Sequence, residues 1–261
     1  MLRTLFTAAT GMDAQQLRMD VISNNLANVS TTGFKKVRPE FEDLLSETIR
    51  GTTPPDGRGG SQPAPLQVGM GVRTVATTRN LAQGDLTNTN NPLDLAIQGQ
   101  GFFQVQRANG ELAYTRAGNF SVDATSRVVT QHGELVEPAI TVPANATAIT
   151  VKADGTVWAT SGTSTTPQEV GAIQLYTFPN PGGLEATGDN LFNETVGSGT
   201  PLSAKPGEQG TGTIIQGYLE NSNVTAVSEM IDMISTQRAY ELNSKVIQTA
   251  DQMLQRVTTI R

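Results

Sequence analysis

From Met1 to Thr32, apolar residues recur at Met1, Leu5, Ala8, Met12, Met19, Ile22, Leu26 and Val29, an alternation of four and three broken only at Gln15. That spacing is the a/d seam of a coiled-coil helix. The stretch has no proline and one glycine, Gly11, and Ser30-Thr31-Thr32 before Gly33 supplies a stop. A helix of about 29 residues would be roughly 43 Å long, more than a small globule can cover. The other end behaves alike: Tyr218–Arg261 contains neither glycine nor proline. Asn221, Ser222 and Asn223 offer N-cap side chains, Glu229 falls in an early turn, and Arg256 and Arg261 lie late. One stripe runs through Val224, Val227, Ile231, Ile234, Ala239, Leu242, Val246, Ala250, Met253, Val257 and Ile260. A second runs through Met233, Tyr240, Ile247 and Leu254 at seven-residue intervals. One partner helix needs one seam, so two seams call for neighbours on two sides.

Between the ends the pattern shortens to strands and tight turns. Asn109-Gly110 separates Phe102–Arg107 from Leu112–Arg116, and Asp154-Gly155 separates Ile149–Lys152 from Thr156–Ala159. Both dipeptides suit two-residue hairpin turns. Phe103 with Val105, Leu112 with Tyr114, and Ile173 with Leu175 alternate with more polar neighbours, as half-buried strands do. After Gly33 a short helical turn is expected around Phe41, Leu44 and Leu45. GTTPPDGRGGSQPAP follows, with four prolines and four glycines in fifteen residues. It fits neither a regular helix nor a central strand. The expected class is α+β, with long N- and C-terminal helices pairing as a coiled coil around an inserted all-β domain. Its parts are a helix over 1–33, an extended connection over 34–70, a β-rich domain over 71–202, a return connection over 203–220 and a helix over 221–261.

Composition narrows what such a chain does. Hydrophobic residues are 37% and aromatics 5% of 261, thin for one large globule, and a net charge of −6 argues against nucleic acid. There is no cysteine, hence no disulfide, thiolate metal site or Cys nucleophile, and His132 is the only histidine. Gly99-Gln100-Gly101 and Gly69-Met70-Gly71 lack the rest of a dinucleotide loop. Asp85, Asp94, Asp123 and Glu134 lie in or beside expected strands, the minimum for glycoside hydrolysis, but one Trp and four Tyr give little for a sugar to stack on. Trp158 reads as a packing residue of the sheet, and His132 as a turn residue. No cofactor or metal is expected. The first residues hold no signal-peptide core, so a chain that leaves the cytoplasm would do so without a cleavable signal.

Four stretches carry a resemblance. VISNNLANVSTTGFKK (21–36) and GYLENSNVTAVSEMIDMISTQRAYELNSKVIQTADQMLQR (217–256) resemble the terminal signatures of the flagellar rod and hook protein family. LDLAIQGQGFFQV (93–105) and TRAGNFSVDATSRVVTQHGELVEP (115–138) are similar to its β-domain core. SETIRGTTPPDGRGGSQPAPL (46–66) with the following QVGMGVR resembles the distal-rod branch, a proximal rod subunit being the alternative. The resemblance implies a structural subunit of a hollow, straight, rigid tube in the basal body, spanning periplasm to outer membrane, carrying torque from motor to hook and enclosing the export channel. Implied partners are further copies of the chain, proximal rod proteins, the hook protein, the surrounding P and L ring proteins, the rod cap and the type III export apparatus. The expected assembly residues are Leu5, Met12, Met19, Ile22, Leu26, Val29, Val227, Ile231, Ile234, Tyr240, Leu242, Val246, Ile247, Met253, Leu254 and Val257. Pro54, Pro55, Pro63 and Pro65 are the expected stiffness segment. A secreted adhesin or a glycoside hydrolase are the readings from other classes.

Overall fold

The computed structural model describes residues 2–50, 53–56, 60–62, 65–162 and 166–259, which divide into two compact units. The first gathers three stretches, 1–26, 37–78 and 225–261; the second holds 27–36 and 79–224. The class is α+β, with a terminal helix at each end of a mostly β middle.

The first unit is built on helices α1 (Leu2–Ala27) and α2 (Ala226–Thr259). α1 stops at Ala27, before the expected 33. There Thr31 N donates to Asn28 O (3.2 Å) and Thr31 Oγ1 to Asn28 Oδ1 (3.1 Å), local bonds that compete with helix. Val29 therefore lies in a turn beyond the seam. α2 begins later than Asn221–Asn223 suggested, after Thr225, whose carbonyl accepts from Ser228 Oγ at 3.1 Å. The asparagine side chains are spent elsewhere: Asn221 Nδ2 donates to Thr87 Oγ1 at 2.7 Å, and Asn223 bonds Lys36, Asn80 and Ala82.

Two contacts relate the helices. Asn25 Nδ2 donates to Glu229 Oε2 at 3.2 Å, and a Cβ on Gly11 would lie 3.0 Å from Asn243 Nδ2. Positions 11 and 25 are two heptads apart, as are 243 and 229, and they run in opposite directions along the chain. In the middle stretch Val37–Asp43 pairs with Val72–Arg79. The helical turn expected around Phe41 is thus replaced by strand, where polar side chains find partners: Thr78 Oγ1 with Glu40 (3.0 Å) and Arg73 Nη2 with Glu42 (3.0 Å). Gly71, at φ +112°, lies so close to α1 that a Cβ would come within 2.3 Å of Thr10 Oγ1.

The second unit is antiparallel. Its seven-stranded sheet runs, in spatial order, Ser121–Val122, Val128–Val129, Leu135–Glu137, Phe103–Gln106, Leu112–Thr115, Leu191–Asn193 and Glu185–Gly188. The middle of this sheet is covered on both faces, where half-buried strands were expected. Phe103, Val105 and Ala113 enter one apolar cluster, while Tyr114 and Phe192 join Phe102, Phe178 and Leu184 in another. Successive strand residues point to opposite faces, so one sheet feeds two cores. A three-stranded sheet, Ala146–Val151, Thr156–Ser161 and Gln168–Ala172, adds Val151 and Val157 to the first cluster.

The hairpins form where Asn-Gly and Asp-Gly placed them, by a different turn. Arg107 N bonds Glu111 O, and Lys152 N bonds Thr156 O, so each loop holds three residues. Only Gly110 (φ +85°) and Gly155 (φ +82°) are left-handed. A type I turn closed by one left-handed residue needs a single positive φ, which asparagine and aspartate need not share. The stretch 203–220, read as a connection, carries strands Thr213–Gln216 and Tyr218–Glu220, paired with Leu95–Gln98 and Leu86–Asn88.

Candidate assembly interface

The two stripes of α2 have different fates. Met233, Ile247 and Leu254 are half-buried, on the same face as the buried Glu229 and Thr236; Val224 and Ala250, placed by spacing in the longer stripe, are buried as well. Val227, Ile231, Ile234, Leu242, Val246 and Met253 are 48–71% exposed. Tyr240, which spacing groups with Met233, Ile247 and Leu254, is 36% exposed. On α1, Ala8, Ala14 and Ile22 are buried, Leu5, Met12, Met19 and Leu26 half-buried, and Phe6 exposed. The side chain of Val257 and the whole of Pro63 lie outside the described residues. Six large apolar side chains in line along one helix would each contribute about 1 kcal/mol or more on burial.

Further exposed apolar side chains lie on and beside the ribbon inserted between Val37–Asp43 and Val72–Arg79. Glu47–Arg50 pairs antiparallel with Leu66–Val68, and Thr53–Asp56, which contains Pro54 and Pro55, with Gly60–Gln62. Proline is tolerated there because every strand of a two-stranded ribbon is an edge. Pro65 directly precedes the returning strand. Leu45, Ile49, Leu66 and Val68 are exposed.

Three family models match in register with this layout. They are "Flagella basal body rod protein" over residues 5–35, "Flagellar hook protein FlgE/F/G D1 domain" over 96–159 and "Flagellar basal body rod FlgEFG protein C-terminal" over 215–260. The flagellar basal-body rod protein FlgG of Caulobacter vibrioides is 52% identical over 261 residues, covering the whole of both chains. The chain belongs to the flagellar basal-body rod protein family. FlgG of Bacillus subtilis is 39% identical over 267 residues, again with both chains fully covered. The hook protein FlgE of Borreliella burgdorferi is 42% identical over 130 residues, 49% of this chain and 29% of that one.

For a rod-family chain, the residues weighed as chemistry are at work in the architecture. Asp94 accepts from Thr89 Oγ1 (2.6 Å) and Asn91 Nδ2 (2.9 Å). Asp123 caps a turn through Thr125 and Arg127, which hold its carboxyl below the usual range, the Thr125 backbone bond first. Glu134 bonds Thr130 Oγ1, and His132 lies in an exposed turn 3.9 Å from Asp189. Trp158 is half-buried in its sheet beneath the Lys152 ammonium. Among the described residues there is no cluster of three potential metal-ligating side chains, and no helix is long and apolar enough to cross a membrane.

Sequence spacing missed two polar knots. In the second unit, buried Lys35 reaches Glu220 Oε1 at 2.5 Å and Ala82 O at 2.8 Å, while Arg116 Nε stands 3.7 Å from Glu220 Oε2. Gly84 N also donates to Glu220, at 3.0 Å. Burial pushes the Lys35 ammonium below its ordinary pKa, against the pull of Glu220. In the first unit, Asn25 accepts from Val37 N (3.0 Å) and donates to Val37 O (2.8 Å) and Glu229. The one available signal was a charged or amide side chain inside a run otherwise suited to burial, at Asn25, Lys35, Glu220 and Glu229.

Proposed function

We propose that this chain is the building block of the distal rod: a helical homopolymer forming a hollow, straight, rigid tube that carries torque from motor to hook and encloses the export channel. The exposed stripe of α2, running alongside a face already half-covered, carries this reading. Its six side chains are 48–71% exposed and costly in water, and contacts between unlike surfaces that do not close generate filaments. α1 and α2 pair as an antiparallel coiled coil, supported by the contacts at Asn25 and Gly11, and the exposed stripe meets further copies. The tube spans periplasm to outer membrane. Its partners are proximal rod proteins, the hook protein, the P and L ring proteins, the rod cap and the type III export apparatus. It performs no catalysis. Full-length similarity to chains named FlgG, together with the 46–66 stretch, favours the distal over the proximal rod.

The segment 46–65, with Pro54, Pro55, Pro63 and Pro65 in its sequence, sets the stiffness of the tube, lying across neighbouring copies and blocking their sliding. Deleting residues 46–65 should leave secretion and polymerisation intact and yield curved, compliant filaments, which electron microscopy of purified basal bodies would show. Straight rods from the deletion would make the segment a passive linker. Loss of all assembly would make it a folding element.

A further inference from the structure

We infer that Asn25 determines register within the helical unit: its side-chain amide selects the one alignment in which α1, the strand Val37–Asp43 and α2 close together. The inference rests on the pairing of α1 with α2 proposed above. Apolar spacing cannot make this selection. Leu5, Met12, Met19 and Leu26 recur every seven residues, and so do Met233, Tyr240, Ile247 and Leu254. Sliding one helix by a heptad returns apolar residues to apolar places, so the seam is degenerate. A buried polar side chain breaks that degeneracy, because only one alignment satisfies it.

Asn25 has the required bonds. The first unit is made of three separate stretches of chain, and Asn25 in the first bonds to both of the others. Its Oδ1 accepts from Val37 N at 3.0 Å, and its Nδ2 donates to Val37 O at 2.8 Å and to Glu229 Oε2 at 3.2 Å. The amide thus faces Val37 as a neighbouring strand would, while its second donor reaches α2. Asn25 and Glu229 are each 1% exposed, so a slipped helix would bury both without these bonds. Two heptads away, Gly11 leaves room for Asn243, a second position matched to the same alignment.

The chain has no cysteine, so introduced pairs report alignment without background. Gly11→Cys combined with Asn243→Cys reads the observed register, and Gly11→Cys with Thr236→Cys or Ala250→Cys reads slips of one heptad either way. Oxidation of the full chain at filament-forming concentration should favour the 11–243 pair by about tenfold or more. Asn25→Asp keeps the acceptor for Val37 N but removes the donor and sets two carboxylates together. It should move cross-linking toward 11–236 or 11–250 by about tenfold, and adding Glu229→Gln should restore the 11–243 preference. An unchanged preference in Asn25→Asp overturns the inference. Equal loss of all three cross-links, not restored by Glu229→Gln, reduces Asn25 to a folding role and overturns it as well. Absence of the 11–243 preference with Asn25 intact shows that the helices do not pair this way, and both readings fall together.

Discussion

Phe103 and Ile231 are both large apolar residues, yet Phe103 is 0% and Ile231 62% exposed. The contrast holds for the units they belong to. The β-rich unit closes two apolar clusters and a buried ion set from its own residues. The helical unit half-covers Met233, Ile247 and Leu254 on α2 and leaves Val227, Ile231, Ile234, Leu242, Val246 and Met253 largely exposed. The β-rich unit therefore closes its core with its own residues, whereas the helical unit keeps large apolar side chains of α2 at its surface.

The strongest attack on this contrast is through the ion set. Glu220→Ala leaves two buried cations, Lys35 and Arg116, without their anion, at a cost of about 3–5 kcal/mol. Chemical denaturation of the unassembled chain should show that loss in the β-rich transition. A wild-type midpoint would mean that the unit does not depend on its buried charges. Ile231→Asp should do the reverse. The residue is exposed in the single chain, so denaturation there should change by no more than about 0.5 kcal/mol. A charge buried in an assembled interface costs several kcal/mol, so rods should be missing from basal bodies while secretion continues. Leu254→Asp, on the half-covered stripe, should also block rods. Normal rods from both variants would erase the distinction between the two units.

Limited proteolysis of the unassembled chain tests the same boundary more gently. Cuts should fall within 1–26 and 225–261, while 79–224 persists and 27–36, anchored by Lys35, survives with it. Equal resistance throughout a verified monomer would show that the helices need no neighbours. The smallest effect belongs to a turn. At Gly110, φ is +85° and nothing lies within 4 Å of an added Cβ, so Gly110→Ala should cost only about 1 kcal/mol of backbone strain, read as a small shift in the β-rich transition.

What could be read from residue order follows from how far the deciding contacts reach. The two stripes of α2 are periodic within a few turns, and Gly110 and Gly155 act within their own hairpins, so both were legible. Leu112 was read as facing the core with Tyr114, but it is 46% exposed while Tyr114 is 1%. Alternation gives opposite faces, and only the packed clusters reveal that both are covered. The strands at 213–220 were missed because each has three or four residues, too few for a period to show. Lys35 with Glu220 and Asn25 with Glu229 join residues 185 and 204 positions apart, which no local pattern reports.

The chain passes four times between its units, after residues 26, 36, 78 and 224. Asn223 ties three of those passages on the β-rich side. Its Oδ1 accepts from Lys36 N at 2.7 Å, and its Nδ2 donates to Asn80 O at 2.8 Å and Ala82 O at 2.9 Å. Lys36 O in turn accepts from Asn80 N at 2.8 Å. Within the β-rich unit, then, one amide splices three stretches that lie far apart along the chain, as a single knot gathers three cords: a pull on any one of them is shared by the other two.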